Sequence, residues 1–255
     1  FVKVDVIIPA YNCEKTIGMS IDSILTQNPF VGKIIIIDDC STDKTRDVVL
    51  EFKKTVDFIL YKQNPQNLGA GNSRNIGLKL STSRYISFLD SDDYWLEGHL
   101  MKLVESLKKN KWAVFAYSNY RFFLPKVNKF SNCSEFNDRH NYKLQLRSSL
   151  ISTPSVLIDK KRAGDFSFIS RRTGQDYALW LSLLKKGDAC GINSCTVVVQ
   201  KTDNSLSKNK FQSLLDVYQI QRREEGFNIL YSMINTLIFT MNFFNKKVNF
   251  WLVRK

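Results

Sequence analysis

The sequence is poor in the side chains that build metal centres and disulfide frameworks. Its five cysteines, Cys13, Cys40, Cys133, Cys190 and Cys195, are odd in number and scattered, with no CxxC pair to suggest zinc or a redox couple. A reducing, cytoplasmic setting fits that usage. There are two histidines, His99 on a predicted helix and His140 in a loop, so no histidine-based constellation is visible and both read as ordinary surface residues. The opening FVKVDVIIPAYN contains a short apolar run but no basic leader, long apolar segment or small-residue cleavage site, and it does not read as a signal peptide. Nowhere does the chain offer an uninterrupted apolar run of about twenty residues, the length a spanning helix needs. Internal repeats and low-complexity tracts are also missing. Acidic residues are scarce beside basic ones, 24 against 37, for a formal net charge of +13. That balance favours an anionic partner such as phospholipid, nucleic acid or a phosphorylated substrate, but no RNA- or DNA-binding motif accompanies it.

What is present is enough for a full core: 255 residues, 44% of them hydrophobic. Residues 2–9 are rich in Val and Ile and stop at a proline, which predicts a buried parallel strand. Residues 14–26 follow with Ile17, Ile21, Ile24 and Leu25 at helical spacing. The pair repeats as a strand over 33–37 that ends in Asp38 and Asp39, then a helix from about residue 43 with Ser41 or Thr42 as its cap. A third strand is expected at 57–61, a glycine-containing loop at 64–71, a helix at 72–80 and a fourth strand at 85–89 ending at Asp90. This alternation predicts an α/β fold: a mostly parallel sheet with helices on both faces, whose ligands bind beyond the carboxyl ends of the strands. Past residue 95 the pattern is less regular, with a helix near 97–110, a strand near 113–122, a polar loop over 126–141 and a helix over 176–186 ending at Gly187.

Chemistry-bearing residues fall where that architecture puts a ligand. Asp90, Ser91, Asp92 and Asp93 follow a buried strand directly, and such carboxylates repel one another unless a cation or hydrogen-bond donors neutralise them. Hard oxygen ligands suit Mg2+ or Mn2+, and few protein ligands suit an ion that also grips a diphosphate. A solvated acidic turn that caps the next helix is the plainer alternative. Arg74 reads either as a phosphate-directed guanidinium or as a surface helix arginine. Asp176 reads either as a base or as a carboxylate stabilised by a helix N-terminus.

Five segments in order, VDVIIPAYN (4–12), IIIDDCSTD (35–43), NLGAGNSRNIG (67–77), FLDSDD (88–93) and QDYALWL (175–181), resemble a family 2 glycosyltransferase of the GT-A fold. The resemblance implies that Pro9, Ala10 and Tyr11 line the base pocket of a UDP-sugar and that Asp39 accepts the uracil N3–H, with Asp38 structural. It further implies that Gly69 lets a loop backbone come close, that Arg74 reaches the nucleotide or diphosphate, that Asp90 and Ser91 hold the sugar nucleotide, and that Asp92 binds the metal. By the same resemblance Asp176 is the general base of an inverting transfer to a hydroxyl, in the synthesis of a bacterial surface polysaccharide such as lipopolysaccharide, O-antigen or capsule on a lipid-linked acceptor. Two departures stand out. Gln175 replaces the usual glutamate before the base, and the segment QKTDNSLS (200–207) lacks the usual histidine ligand, leaving Asp203 as its candidate metal ligand.

The expected organisation is a catalytic domain over 1–215, with a nucleotide-sugar half (1–95) and an acceptor half (96–215), and an amphipathic helical tail over 216–255. Residues 226–255 contain no acid. Asn228, Ser232, Asn235 and Asn242 share one helical face, leaving Ile229, Met233, Ile234, Leu237, Ile238 and Met241 on the remainder. A helix lying on the inner surface of the cytoplasmic membrane and a helix packed on its own domain or on a second copy both fit this pattern. Competing functions are a nucleotidyltransferase, which calls for a glycine-rich basic loop after the first strand that PAYNCEKT does not supply, and a non-catalytic sugar-nucleotide-binding module.

Overall fold

The computed structural model describes residues 2–134, 138–148, 150–201 and 210–251. Its first half follows the predicted alternation: β1 (Val4–Ala10), α1 (Ile17–Leu25), β2 (Val31–Asp38), α2 (Thr45–Lys53), β3 (Ile59–Gln63), α3 (Ala70–Leu80) and β4 (Tyr85–Phe88). The second half is β5 (Tyr94–Trp95), α4 (His99–Lys109), β6 (Phe115–Leu124), β7 (Lys129–Phe130), β8 (Arg139–His140), α5 (Tyr142–Leu146), β9 (Val156–Asp159), α6 (Lys160–Ala163), α7 (Gln175–Leu184), β10 (Ala189–Gln200), α8 (Lys210–Arg223) and α9 (Ile229–Trp251).

All ten of these strands join one sheet, ordered β3-β2-β1-β4-β9-β6-β10-β5, with β7 on β6 and β8 on β10. β3, β2, β1 and β4 are mutually parallel, β9 runs against both β4 and β6, and β6 and β10 are parallel again. Burial on both faces explains the isoleucine-rich strands. Along β1 and β2, Val4, Val6, Ile8, Ile34 and Ile36 face one layer, with Ile17, Ile21, Ile24 and the α4 leucines Leu100, Leu103 and Leu107. Ile7, Ile35 and Ile37 face the other, with Trp180, Leu183 and Leu184 of α7. A third cluster, Leu146, Tyr177, Leu181, Val217, Ile220 and Phe239, joins α5, α7, α8 and α9. The expected domain boundary at 215/216 falls inside α8.

Several local expectations are corrected. Neither Ser41 nor Thr42 caps α2. Instead the Asp43 carboxylate accepts the Thr45 amide at 3.0 Å, while the Ser41 amide donates to Asp38 (2.8 Å) and the Thr42 amide to Asn12 (2.8 Å). The acid at the end of β2 competes for the nearer residue, so the turn runs on before the helix starts. Neither histidine is a surface residue: both are fully buried. His99 stacks on Trp95 with centroids 4.5 Å apart and places Nδ1 2.8 Å from the Thr196 hydroxyl, and burial pushes it down to about 3, so it stays neutral. His140 Nε2 lies 2.9 Å from Gln145 Oε1. Cys133 and Cys195 form a disulfide with Cα atoms 6.1 Å apart, whereas Cys13, Cys40 and Cys190 are free. Cysteine spacing along the chain does not predict this pair. Its proximity comes from β6 lying beside β10, which spacing along the chain does not encode.

Candidate active site

The site is built at the carboxyl ends of β1, β2 and β4, where the helices that follow begin. β1 ends in Pro9 and Ala10, whose carbonyl accepts the Asp39 amide at 2.7 Å, and the chain then presents Tyr11 half exposed. Asp38 and Asp39 are both buried. Asp38 is structural, accepting the Tyr61 hydroxyl (2.5 Å) and the Ser41 amide. Asp39 is also built into the scaffold, which its motif did not reveal. Its carboxylate accepts the Asn64 side-chain amide at 2.8 Å, the Leu68 amide at 2.9 Å and the Gly69 amide at 2.7 Å. A ligand N–H would have to share what acceptor capacity remains.

That grip sets the entry to α3. Gly69 stands just before the helix at φ +84°, where a side chain is disfavoured. Two residues on, Gly71 faces Gln175 at the start of α7: a Cβ on Gly71 would lie 1.6 Å from Gln175 Oε1. The starts of α3 and α7 therefore touch. Arg74, one turn further along α3, is 6% exposed, ion-paired through Nη2 with Asp90 and lies over the Phe168 ring at 5.3 Å. Its positive charge also acts on Asp176, which Asp90 opposes. The end of β4 and the start of α7, 86 residues apart in the chain from Asp90 to Asp176, thus lie near enough for the charge of Arg74 to act on both, although only Asp90 pairs with it.

The turn 90–93 is fixed from within. The Asp93 amide donates to the Asp90 carbonyl (3.0 Å), the Asp93 carbonyl accepts the Ser20 hydroxyl (2.7 Å), and the buried Asp93 carboxylate accepts the Gln200 amide (2.9 Å). Burial, then the charges of Asp90 and Asp92, push the Asp93 carboxyl well up. Lys201 lies close enough to oppose that shift and rests its ammonium over the Phe122 ring at 4.4 Å. Ser91 contacts the Cys13 thiol. Asp92 is partly open to solvent, and burial, then Asp90, raise it to about 6. Two acids that penalise each other's charge fit a divalent cation. Among the described residues no group of three or more His, Cys, Asp or Glu side chains assembles as a metal site. Asp92 is the residue of this turn that could hold such an ion, with few other protein ligands beside it. Asp203 lies outside the described residues.

Asp176 sits in the first turn of α7, its Oδ1 accepting the Tyr177 amide at 2.8 Å. Burial raises its carboxyl, against the Tyr177 amide and Arg74. Gln175 is buried and its Oε1 has no partner among the described residues. The features that sequence reasoning missed, the Asn64–Asp39 contact, Phe168 beneath Arg74, and Gln200 and Lys201 at Asp93, carry no motif of their own. Only Gln200 and Lys201 lie in a segment already suspected.

A sequence model described as glycosyl transferase family 2 matches residues 5–166, which contain the ends of β1, β2 and β4 and the whole of α3. The chain belongs to glycosyl transferase family 2. Among its relatives is the Bacillus subtilis protein TuaG, a glycosyltransferase named for teichuronic acid biosynthesis, 33% identical over 228 residues (89% of this chain, 90% of TuaG). Another is the Escherichia coli UDP-Glc:alpha-D-GlcNAc-diphosphoundecaprenol beta-1,3-glucosyltransferase WfaP, 35% identical over 215 residues (83% of this chain, 82% of WfaP). The S. aureus TarS fragment 1–349 solved with UDP-GlcNAc superposes with a TM-score of 0.72 at 17% identity, covering 94% of this chain and 72% of the fragment. It supports the GT-A fold. This family 2 member is a glycosyltransferase enzyme whose central mixed sheet and flanking helices match that architecture, with a C-terminal helix present besides.

Proposed function

We propose that this glycosyltransferase moves a sugar, with inversion, from a UDP-sugar to a hydroxyl of a lipid-linked saccharide in surface-polysaccharide synthesis. The observation that carries the reading is Arg74, paired with Asp90 at the end of β4 and charge-coupled to Asp176 at the start of α7. In this reading a donor-side acid and an acceptor-side acid border one cleft on either side of that arginine. Support for the substrates comes from relatives: WfaP is named for UDP-Glc and a diphosphoundecaprenol-linked acceptor, and TarS was solved with UDP-GlcNAc.

In this reading Pro9, Ala10 and Tyr11 border the uracil, Asp39 and Gly69 shape the loop beside it, and Asp90 and Ser91 face the ribose and sugar. Asp176 takes the proton of the acceptor hydroxyl as that oxygen bonds to the anomeric carbon, and the bond from that carbon to the diphosphate oxygen breaks with its electron pair leaving on UDP. A raised carboxyl suits this work, because a carboxylate of ordinary acidity is a weaker proton acceptor near neutral pH. Arg74 opposes the upward shift of Asp176 and offers a permanent positive charge to phosphate oxygens. Mn2+ or Mg2+ held by Asp92 would supply Lewis-acid stabilisation of the diphosphate.

The membrane reading of the tail also stands as part of this proposal. α9 turns the middle of its polar stripe inward: Ser232 and Asn235 are fully buried and Arg147 Nε donates to Asn235 Oδ1 (3.3 Å), while the exposed Asn242 donates to the Arg147 carbonyl (2.9 Å). Outward it shows Leu230, Met233, Leu237 and Met241, each more than half exposed. With α8, Leu230, Met233 and Leu237 border an apolar groove of about 530 Å³. None of the described helices is long and apolar enough to cross a membrane. A helix with its apolar side outward suits the surface of the bilayer in which a lipid-linked acceptor resides, which supports reading the enzyme as a peripheral protein of the cytoplasmic face.

The test is a donor screen by mass spectrometry across UDP- and GDP-sugars with Mn2+ and GlcNAc-diphosphoundecaprenol or membrane-extract acceptors. Asp176→Asn and Asp92→Asn should each lower transfer by at least about a hundredfold, and EDTA should match the Asp92 loss. Turnover retained by Asp176→Asn would remove the base; transfer from GDP-sugars alone would remove the UDP reading.

A further inference from the structure

The Asp176 carboxylate binds its own helix at the Tyr177 amide, so its aim depends on the backbone turn that starts α7. That turn is pressed against α8. Gly174 precedes α7 at φ +72°, and a Cβ there would lie 2.9 Å from Ile220 Cδ1 and 3.4 Å from Asp216 Cβ, both on α8. Asp216 is 3% exposed. It accepts Arg171 Nη2 at 3.0 Å on Oδ1 and the Thr173 hydroxyl on Oδ2. Further along, Gln221 donates to the Tyr177 hydroxyl (3.0 Å) and Glu225 pairs with Lys185 (2.8 Å), so α8 is fastened along the length of α7.

Stability alone is a poor reason for a buried carboxylate here, since apolar packing of similar volume serves about as well. What Asp216 adds is direction: two hydrogen bonds from residues three and five positions before Asp176 fix the path of the turn that carries it.

We propose that Asp216 is a positioning residue for the acceptor side of the site, holding the 171–174 turn through Thr173 and Arg171 so that Asp176 meets the acceptor hydroxyl. This rests on Asp176 being the base. Asp216 touches no reacting atom. A displacement of about 1 Å in a reacting group can cost on the order of a hundredfold in rate, and the turn lies two residues from the base.

The experiment uses the full chain with the donor and acceptor that support wild-type turnover. Thr173→Val removes the donated hydrogen bond at nearly constant shape, and Thr173→Ser restores it. Asp216→Asn leaves an acceptor for Thr173 but removes the charge facing Arg171. Steady-state kinetics, UDP affinity by calorimetry and thermal midpoints are read for each. Thr173→Val should lower kcat about tenfold or more with UDP affinity unchanged, Thr173→Ser should lie within about twofold of wild type, and Asp216→Asn should fall between. Wild-type kcat in Thr173→Val, or an equal loss of UDP affinity and kcat, would overturn the positioning role, the latter by showing a general loosening. Asp176→Asn run in parallel separates the two ideas: if it keeps turnover the base assignment fails and positioning falls with it, and if it alone is inactive only positioning fails.

Discussion

Gly71→Ala tests the contact between the two helix starts that define the cleft. An alanine in a helix ordinarily stabilises by about 0.5–1 kcal/mol relative to glycine. At residue 71 the new methyl would stand 1.6 Å from Gln175 Oε1 and 2.8 Å from its Cδ, so the Gln175 amide has to leave its buried niche. Forcing a methyl into a packed site costs about 1–3 kcal/mol, which outweighs the helical gain, and the single variant should be less stable by about 1–2 kcal/mol. Truncating the neighbour removes the clash, because the next contact is Phe168 Cβ at 3.5 Å, an ordinary separation. A double-mutant cycle of Gly71→Ala and Gln175→Ala, followed by urea denaturation, should therefore give a favourable coupling of about 1–2 kcal/mol. The same cycle read by UDP release should show Gly71→Ala depressing kcat, since Gln175 is bonded in sequence to Asp176. Coupling below about 0.5 kcal/mol, the scatter expected of independent sites, would refute the claim that α3 and α7 meet at this contact.

Asp92 gives a pH prediction. Its folded pKa of about 6 lies above its ordinary 3.8, so between those values the folded state binds more protons than the unfolded one and stability falls as pH rises. Metal-free wild type should lose part of its urea midpoint from pH 4 to 6 relative to Asp92→Asn, and Mn2+ should restore it; identical pH dependence in the two proteins contradicts the shift. Asp39→Asn turns an amide NH2 toward the donors at Leu68, Gly69 or Asn64 and should cost about 1.5–3 kcal/mol in chemical denaturation, with a larger loss of UDP affinity than a surface substitution causes. On the tail, Leu237→Glu and Met233→Glu should release the protein from anionic phospholipid vesicles in a sedimentation assay while leaving its thermal midpoint unchanged. A concentration-dependent dimer of wild type that ignores vesicles would instead give the α9 face to a second copy.

The chain order of the parallel half and the segments around the site were legible because both depend on short-range chemistry. Isoleucine runs at 34–37 can be accommodated only where both faces of a strand are covered, and the acids after them land where strands end. The resemblance added roles for Asp39, Arg74, Asp92 and Asp176, but could not show that Asp39 holds the 64–69 loop, because its donors are mostly backbone amides that leave no trace in residue type. The histidines were misplaced for a similar reason: burial of His99 follows from Thr196 of β10 closing over it beside Trp95, a contact made between distant segments.

Sequence alone determined the α/β alternation, the polar and apolar stripes of α9, and the set of acids available for chemistry, all of them consequences of periodicity and local composition. Tertiary structure alone decided that α9 buries Ser232 and Asn235 and exposes Leu230 and Leu237, that Cys133 meets Cys195, and that Arg74 pairs with Asp90 near enough for its charge to act on Asp176. Each of these requires two remote segments to occupy neighbouring positions, and that proximity is set by sheet order and helix packing, which no local pattern encodes.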